Sequence, residues 1–98
     1  MANFFERWIL EACILAVLSH EDTYGYKIAK IKELTVSEST VYPALRNLKD
    51  NGYLSVYSQT DNTRLRKLYS ITPKGQERLS VLKEKWEEYK NTVAFFLG

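Results

Sequence analysis

The clearest pattern of hydrophobic and polar positions lies in residues 37–50. Val41, Leu45 and Leu48 recur at spacings of four and three, which places them on one side of a helix with 3.6 residues per turn. Ser37 is the expected N-cap. Pro43 would then lie about six residues into the helix and remove a hydrogen bond, so the regular helix either starts nearer Thr40 or bends slightly at Pro43. The Asn-Gly pair that follows can adopt the left-handed backbone conformation that commonly ends a helix. The helix is therefore predicted to end at about residue 50.

The other side of this predicted helix carries small hydroxyls, an aromatic ring, a guanidinium and an amide. These residues are Ser39, Thr40, Tyr42, Arg46 and Asn47. Hydroxyls bond to phosphates or base edges, Arg pairs with guanine or phosphate, and Asn pairs with adenine, so the set suits a DNA major groove. An ordinary amphipathic surface helix has the same pattern, and the segment alone leaves both interpretations open.

Two further helices are predicted ahead of this one. The first covers residues 3–19 and is apolar on more than one side, which is typical of a helix buried on several sides and favours contact with a second subunit. The second begins at a cap on Asp22 or Thr23, ends at about Leu34 and turns Lys27 outward. Lys27 is therefore a candidate DNA contact.

The segment after the third helix alternates with the period of two that is typical of β-strands. Residues 53–57 form one predicted strand, residues 58–63 a polar turn, and residues 64–71 a second strand. Three helices followed by a hairpin is the order of a winged helix-turn-helix, so the predicted fold is mainly α with a small β-hairpin. The wing would carry three basic residues, Arg64, Arg66 and Lys67.

The last predicted helix opens with Thr72 as N-cap and Pro73 at its first position. Its apolar residues form a heptad seam with spacings of three and four, namely Leu79, Leu82, Trp86, Tyr89, Val93 and Phe96. We expect this helix to pack on a second copy of the chain, with a simple intrachain amphipathic helix as the alternative. The predicted division is a DNA-binding winged helix-turn-helix domain over residues 1–72 and a dimerisation helix over residues 73–98.

Charge is unevenly distributed along the 98 residues, although the net charge is only +2. Residues 23–74 carry nine Lys and Arg against four acids, a balance of +5, while the remainder carries five bases and eight acids, a balance of −3. Positive potential is therefore concentrated where the third helix and the wing lie. A polyanion such as double-stranded DNA is the expected partner.

The chain lacks the residues that most enzymes need. His20 is its only histidine and Cys13 its only cysteine, so one chain cannot build a zinc cluster or a Cys–His or Ser–His site with an orienting acid. No phosphate-binding loop or Rossmann glycine pattern is present. We expect no enzymatic activity, no metal and no cofactor. The single thiol and the short apolar runs favour a cytoplasmic protein outside the membrane.

Four segments together resemble the PadR-like transcriptional regulators. They are ILEACILAVL, TYGYKIAKI, SESTVYPALRNLKDNGYL and RKLYSITPKGQERL, and the resemblance covers about residues 8–90. It implies a homodimeric winged-helix repressor on a pseudo-palindromic operator, often released by a small molecule. The family's glycine-rich wing turn is replaced here by residues 61–63. The contact roles carried over by the resemblance fall on Ser39, Thr40, Tyr42, Arg46, Arg64, Arg66 and Lys67.

The single C-terminal helix resembles the short subgroup of this family, in which some members bind flat aromatic drugs between paired tryptophans at the dimer centre. Trp86 occupies a comparable place, and Trp8 and Tyr89 are further candidates for binding a planar aromatic effector. The alternative is that Trp86 belongs to a packed, ligand-free interface, as tryptophans in a heptad seam more often do.

Two functions therefore compete at this point. The leading prediction is a sequence-specific DNA-binding transcriptional regulator that acts as a repressor. The alternative is a winged-helix protein–protein interaction module that holds a partner on its basic surface without reading bases. Arg46 follows a hydroxyl-rich helix start within the basic segment, which favours DNA.

Overall fold

A computed structural model describes residues 6–98, apart from the side chain of residue 61. The predicted fold, mainly α with a small antiparallel sheet, is confirmed. Residues 3–5 of the predicted first helix lie outside the described residues. In chain order the elements are α1 (Arg7–His20), β1 (Thr23–Tyr24), α2 (Gly25–Ala29), a 3-10 helix (Lys32–Leu34), α3 (Glu38–Asp50), β2 (Leu54–Asp61), β3 (Arg64–Ile71) and α4 (Pro73–Leu97).

The apolar sides of all four helices meet in one core. The predicted apolar side of α3 is confirmed, because Val41, Leu45 and Leu48 are fully buried. A fully buried aliphatic side chain stabilises the fold by about 1.5–3 kcal/mol, so this packing fixes which side of α3 remains free. The other side chains with almost no exposed surface are Ile14, Leu15, Leu18, Ile28 and Leu82.

The prediction of one continuous second helix is wrong. Thr23–Tyr24 forms the short strand β1, which pairs with Tyr69 and Leu68 of β3 and makes the sheet three-stranded in the order β1-β3-β2. The helix α2 then covers only Gly25–Ala29. The backbone of residues 23 and 24 is used in pairing with a strand more than forty positions away, and such long-range pairing overrides a local helical pattern.

The hairpin is confirmed, but its predicted turn over residues 58–63 is wrong. The two strands stay paired to their ends, where Asp61 lies opposite Arg64, and only two residues connect them. Asn62 adopts φ +58, a left-handed conformation that Asn tolerates better than most residues. The wing is therefore a long, tightly closed ribbon rather than a short hairpin with a loose loop.

The start of α4 matches its prediction. The Thr72 side chain accepts a hydrogen bond of 3.0 Å from the backbone N–H of Gly75, and Pro73 takes the first helical position. Gly75 lies directly against the backbone of Tyr53, so the helix can approach the start of β2 closely. Leu79 and Leu82 join the core, whereas the helix is exposed from Lys83 onward.

Candidate nucleic-acid interface and apolar groove

The N-terminal turn of α3 presents a cluster of hydroxyl groups. The Ser37 hydroxyl lies 2.8 Å from that of Ser39 and 3.2 Å from that of Thr40. Ser37 is the N-cap residue as predicted, although its side chain does not bond to a backbone N–H of the helix. Ser39 is exposed and Thr40 half-buried. The cluster is therefore an exposed set of donors and acceptors at a helix start, which suits phosphate or base edges.

Tyr42 and Arg46 continue this free surface along α3. Both side chains are exposed, one helical turn apart, on the side of the helix that does not enter the core. Three of the four α3 residues predicted to contact DNA, Ser39, Tyr42 and Arg46, thus share one exposed side of the helix, and the half-buried Thr40 lies at its border.

Asn47 does not belong to this surface, so its prediction as a groove-facing residue is wrong. Its Nδ2 donates a hydrogen bond of 2.9 Å to Oε2 of Glu11 on α1. Glu11 is 7% exposed, and the same carboxylate oxygen lies 3.4 Å from Nε of Arg7. A buried carboxylate requires donors, and Asn47 supplies one. Asn47 therefore joins α3 to α1.

The basic residues of the wing lie on two faces of the ribbon rather than one. Successive side chains of a strand point to opposite sides, so Arg64 and Arg66 share the face of Leu68, whereas Lys67 shares the face of Tyr69. Arg64 and Lys67 are exposed, and Arg66 is half-buried. The sequence placed all three on the wing correctly but did not separate the two faces.

Tyr69 connects the wing to the exposed side of α3. Burial raises the pKa of its hydroxyl, nearby Tyr42 adds to the rise, and nearby Arg46 opposes it. A Cβ added to Gly25 would lie 3.5 Å from the Tyr69 ring and 3.9 Å from the Tyr42 ring. The start of α2, the middle of α3 and the Lys67 face of the wing are therefore adjacent.

Lys27 is exposed on α2, as predicted, and it contacts an aromatic ring. Its Nζ lies 5.3 Å from the centroid of Tyr24. The Tyr24 ring stacks on that of Tyr26, whose other neighbour is the guanidinium of Arg66. The sequence pattern predicts no role for Tyr26 and places Tyr24 inside a helix. The one signal in the sequence was the i, i+2 spacing of two tyrosines beside a basic residue.

An apolar groove of about 330 Å³ lies between α1 and α4. Trp8 and Trp86 line the same groove, together with Ala12, Cys13 and Leu79. Burial raises the pKa of the Cys13 thiol, so the thiol stays neutral and behaves as part of the apolar wall. The groove is thus a surface on which a flat apolar molecule or a second chain could pack.

Tyr89, the third predicted ligand contact, lies beside the groove rather than in its wall. Its ring is edge-on to Trp8 at 5.6 Å between centroids and nearly parallel to Trp86 at 6.2 Å. It also lines a second depression of about 270 Å³ further along α4, with Trp86 and Val93. The three aromatic residues therefore form one cluster, and Tyr89 links the two concave surfaces.

Three packed helices followed by a two-stranded wing define the winged helix-turn-helix class. The family model described as the transcriptional regulator PadR-like family matches residues 14–81, and the chain belongs to this family. The family consists of transcriptional regulators rather than enzymes. No curated protein sequence matches this chain significantly. Within the described residues, none of the helices has the length and hydrophobicity needed to cross a membrane.

Solved structures agree with this assignment. The protein smu.1704 from Streptococcus mutans, known from a crystal structure, shares 37% sequence identity with this chain. Its TM-score is 0.88, and the match covers 99% of this chain and 93% of that one. A PadR family transcription regulator from Clostridium difficile is 30% identical, with a TM-score of 0.81 over 91% of this chain and 98% of that one. Bacillus subtilis PadR in complex with operator DNA is 25% identical, with a TM-score of 0.66 over 74% of this chain and 45% of that one.

Proposed function

We propose that this chain is a sequence-specific transcriptional repressor that binds a pseudo-palindromic operator as a homodimer. In this proposal residues 1–72 contact the DNA and residues 73–98 join the two copies. The observation that carries it is the free side of α3, where Ser39, Tyr42 and Arg46 are exposed while the opposite side is held in the core. Bacillus subtilis PadR was solved with operator DNA, which supports a duplex as the partner.

The basic residues divide into two groups in this proposal. The exposed side of α3 enters the major groove, where Arg46 pairs with a base edge and Thr40 supports it. Arg64 and Lys67 contact phosphates from the two faces of the wing, and Lys27 and Arg66 add phosphate contacts beside α3. Base contacts give sequence preference, and phosphate contacts give salt-dependent affinity for any duplex.

The exposed half of α4 supports the homodimer. Its predicted seam continues beyond the core with Trp86, Tyr89 and Val93, which are 43%, 40% and 37% exposed, and with Phe96 at 77%. A contiguous apolar surface of this kind is typical of an interaction site. A second copy places two recognition helices on one duplex, which is how dimers of helix-turn-helix proteins read two half-sites.

We further propose that a planar aromatic molecule releases the repressor. The groove offers it two indole rings, Trp8 and Trp86, and an almost entirely apolar wall, with Lys83 as the charged residue at its edge. Tyr89 packs edge-on against Trp8 and nearly parallel to Trp86. Such a site favours a flat apolar ligand because stacking and burial, rather than charge pairing, supply the affinity.

Selection from a pool of random duplexes tests the DNA-binding function. The full chain is incubated with the pool, bound duplexes are sequenced, and the enriched duplex and a scrambled one are titrated across a range of salt concentrations. We expect enrichment of a site with two-fold symmetry and half-sites about 10 base pairs apart. We also expect affinity for both duplexes to fall steeply with salt, because phosphate contacts release counterions.

The same experiment distinguishes DNA recognition from the competing function, a protein–protein interaction module. A protein–protein module would enrich no sequence and would show no steep dependence of duplex affinity on salt. That result would overturn the proposal. Enrichment of one sequence without two-fold symmetry would contradict the homodimer on a palindrome while leaving DNA recognition in place.

A further inference from the structure

Two tyrosines beside the recognition helix have no role in the function proposed above. The Tyr24 and Tyr26 rings are stacked, with their centroids 5.6 Å apart and their planes 23° from parallel. The guanidinium carbon of Arg66 lies 4.7 Å from the Tyr26 centroid, and Nζ of Lys27 lies 5.3 Å from the Tyr24 centroid. We call these four residues the tyrosine ladder.

The ladder joins three elements of the fold. Tyr24 lies in β1, Tyr26 and Lys27 lie in α2, and Arg66 lies in β3 of the wing. Tyr24 pairs with Leu68, so its side chain shares the face of β3 that carries Arg66. The ladder therefore connects the wing to the start of α2 through side chains as well as through the backbone.

Both cations lie within the range at which an aromatic ring attracts a positive charge. The negative face of a ring attracts a cation within about 6 Å of its centroid, and Arg and Tyr are favoured partners. A flexible Arg or Lys side chain otherwise loses rotamer freedom when it binds a phosphate. A cation already held on a ring has lost part of that freedom before DNA arrives.

The ladder also lies next to the surface proposed to read bases. Gly25, between the two tyrosines, lies close to the ring of Tyr42 on α3. Lys27 is exposed, and the two tyrosines and Arg66 are half-buried. In the proposed complex these cations would lie near the phosphates that flank α3, on the opposite face of β3 from the contact between Tyr69 and Tyr42.

We propose that Tyr24 and Tyr26 are positioning residues for DNA binding. Each ring holds one cation, Tyr26 holding Arg66 and Tyr24 holding Lys27, in an orientation that meets the phosphate backbone beside α3. The inference rests on the proposed DNA-binding function and adds two residues that act through other residues. The ring is the active part of each tyrosine, and its hydroxyl is dispensable.

A double-mutant cycle with a conservative replacement tests this role. Tyr26→Phe and Tyr26→Leu are made in the wild-type chain and in the Arg66→Ala chain, and affinity for a random duplex is measured by fluorescence anisotropy. We expect Tyr26→Leu to weaken binding about two- to fivefold, the range of an exposed cation–π contact, and Tyr26→Phe to bind like the wild type. In the Arg66→Ala chain, Tyr26→Leu should cause no further loss.

If Tyr26→Leu does not fold, the same test is made on the other ring–cation pair, Tyr24 and Lys27. Tyr24→Leu and Tyr24→Phe are then measured with and without Lys27→Ala, and the same pattern is expected. Circular dichroism thermal unfolding of every variant separates loss of fold from loss of binding.

Three results would overturn the inference. They are unchanged affinity in the Leu variants, equal losses in the Leu and Phe variants, and a loss from Tyr26→Leu that persists in full when Arg66 is absent. The last result would mean that Tyr26 supports the fold rather than Arg66. Failure of the wild-type chain to bind duplex DNA would instead refute the proposed function, so the two failures are distinguishable.

Discussion

Glu11 and Asn47 form a polar contact within an otherwise apolar helix–helix junction. The Glu11 carboxylate is buried and accepts hydrogen bonds from the Asn47 amide and from Nε of Arg7. Helical spacing predicts correctly that Asn47 lies off the apolar stripe of α3. It does not predict that α1 covers that position, because the position depends on how two helices pack.

Replacement of Asn47 should therefore reduce stability. Asn47→Ala leaves a buried carboxylate without its amide donor, and we expect a loss of about 1–3 kcal/mol in the free energy of unfolding. Urea denaturation monitored by circular dichroism measures it. Lys49→Ala is the matched control, since Lys49 is exposed on the same helix. Equal stability of the two variants would show that the Glu11 contact contributes nothing.

The elements that the sequence predicted well are those with a strong local pattern. Helix α3 and the start of α4 follow from apolar periodicity and from the cap at Thr72, and both lie where they were expected. β1 has no such pattern, since its two residues become a strand only by pairing with β3. The separation of Arg64 and Arg66 from Lys67 follows from the alternation of side chains along β3, so the predicted strand over residues 64–71 already implied it.

Gly75 controls how closely α4 approaches the sheet. A Cβ at this position would overlap the carbonyl oxygen of Tyr53 and lie 2.7 Å from Cγ1 of Ile71. Gly→Ala within a helix normally gains stability, but overpacking costs about 1–3 kcal/mol, so we expect Gly75→Ala to lower the unfolding temperature.

Gly25→Ala is the matched control for this prediction. Its added methyl would meet the nearest ring atom at 3.5 Å, an ordinary contact distance. Differential scanning calorimetry of both variants compares them directly. A Gly75→Ala variant as stable as Gly25→Ala would contradict the close approach of α4 to Tyr53.

The two halves of α4 have different surroundings. Leu82 is 1% exposed and belongs to the core of its own chain, so Leu82→Lys would unfold the protein rather than test a dimer. Val93 lies further along the seam, outside that core. Substitutions that test assembly therefore belong in the second half of the helix.

Val93→Lys should dissociate the proposed homodimer. The substitution places a charge in the apolar seam, which must be desolvated if the two copies associate. Val81→Lys is the matched control, because Val81 is exposed on the same helix but lies off the seam. In sedimentation velocity at micromolar concentration we expect a dimer for the wild type and the control and a monomer for Val93→Lys. A monomeric wild type would rule out the homodimer.

The proposed effector should be detectable through the groove tryptophans. We expect planar aromatic dyes to quench tryptophan fluorescence and to weaken DNA binding, because a ligand that releases the operator must bind the DNA-incompetent dimer more tightly. Trp86→Phe should bind DNA normally but bind the dyes more weakly, and quenching of Trp8, which lines the same groove, still reports that binding. If no dye quenches, or if the dissociation constants of the dyes are unchanged in Trp86→Phe, the groove is not an effector site.

In the proposed complex α3 reads bases while the wing contacts phosphates, and a comparison of two variants separates these roles. Affinities of wild type, Arg46→Ala and Lys67→Ala are measured on the enriched duplex and on a scrambled duplex across salt concentrations. We expect Arg46→Ala to lose about 1–3 kcal/mol mainly on the enriched duplex. Lys67→Ala should lose affinity equally on both and reduce the salt slope by about one. If Arg46→Ala loses the same affinity on both duplexes, Arg46 does not read bases and the proposed role of α3 is contradicted.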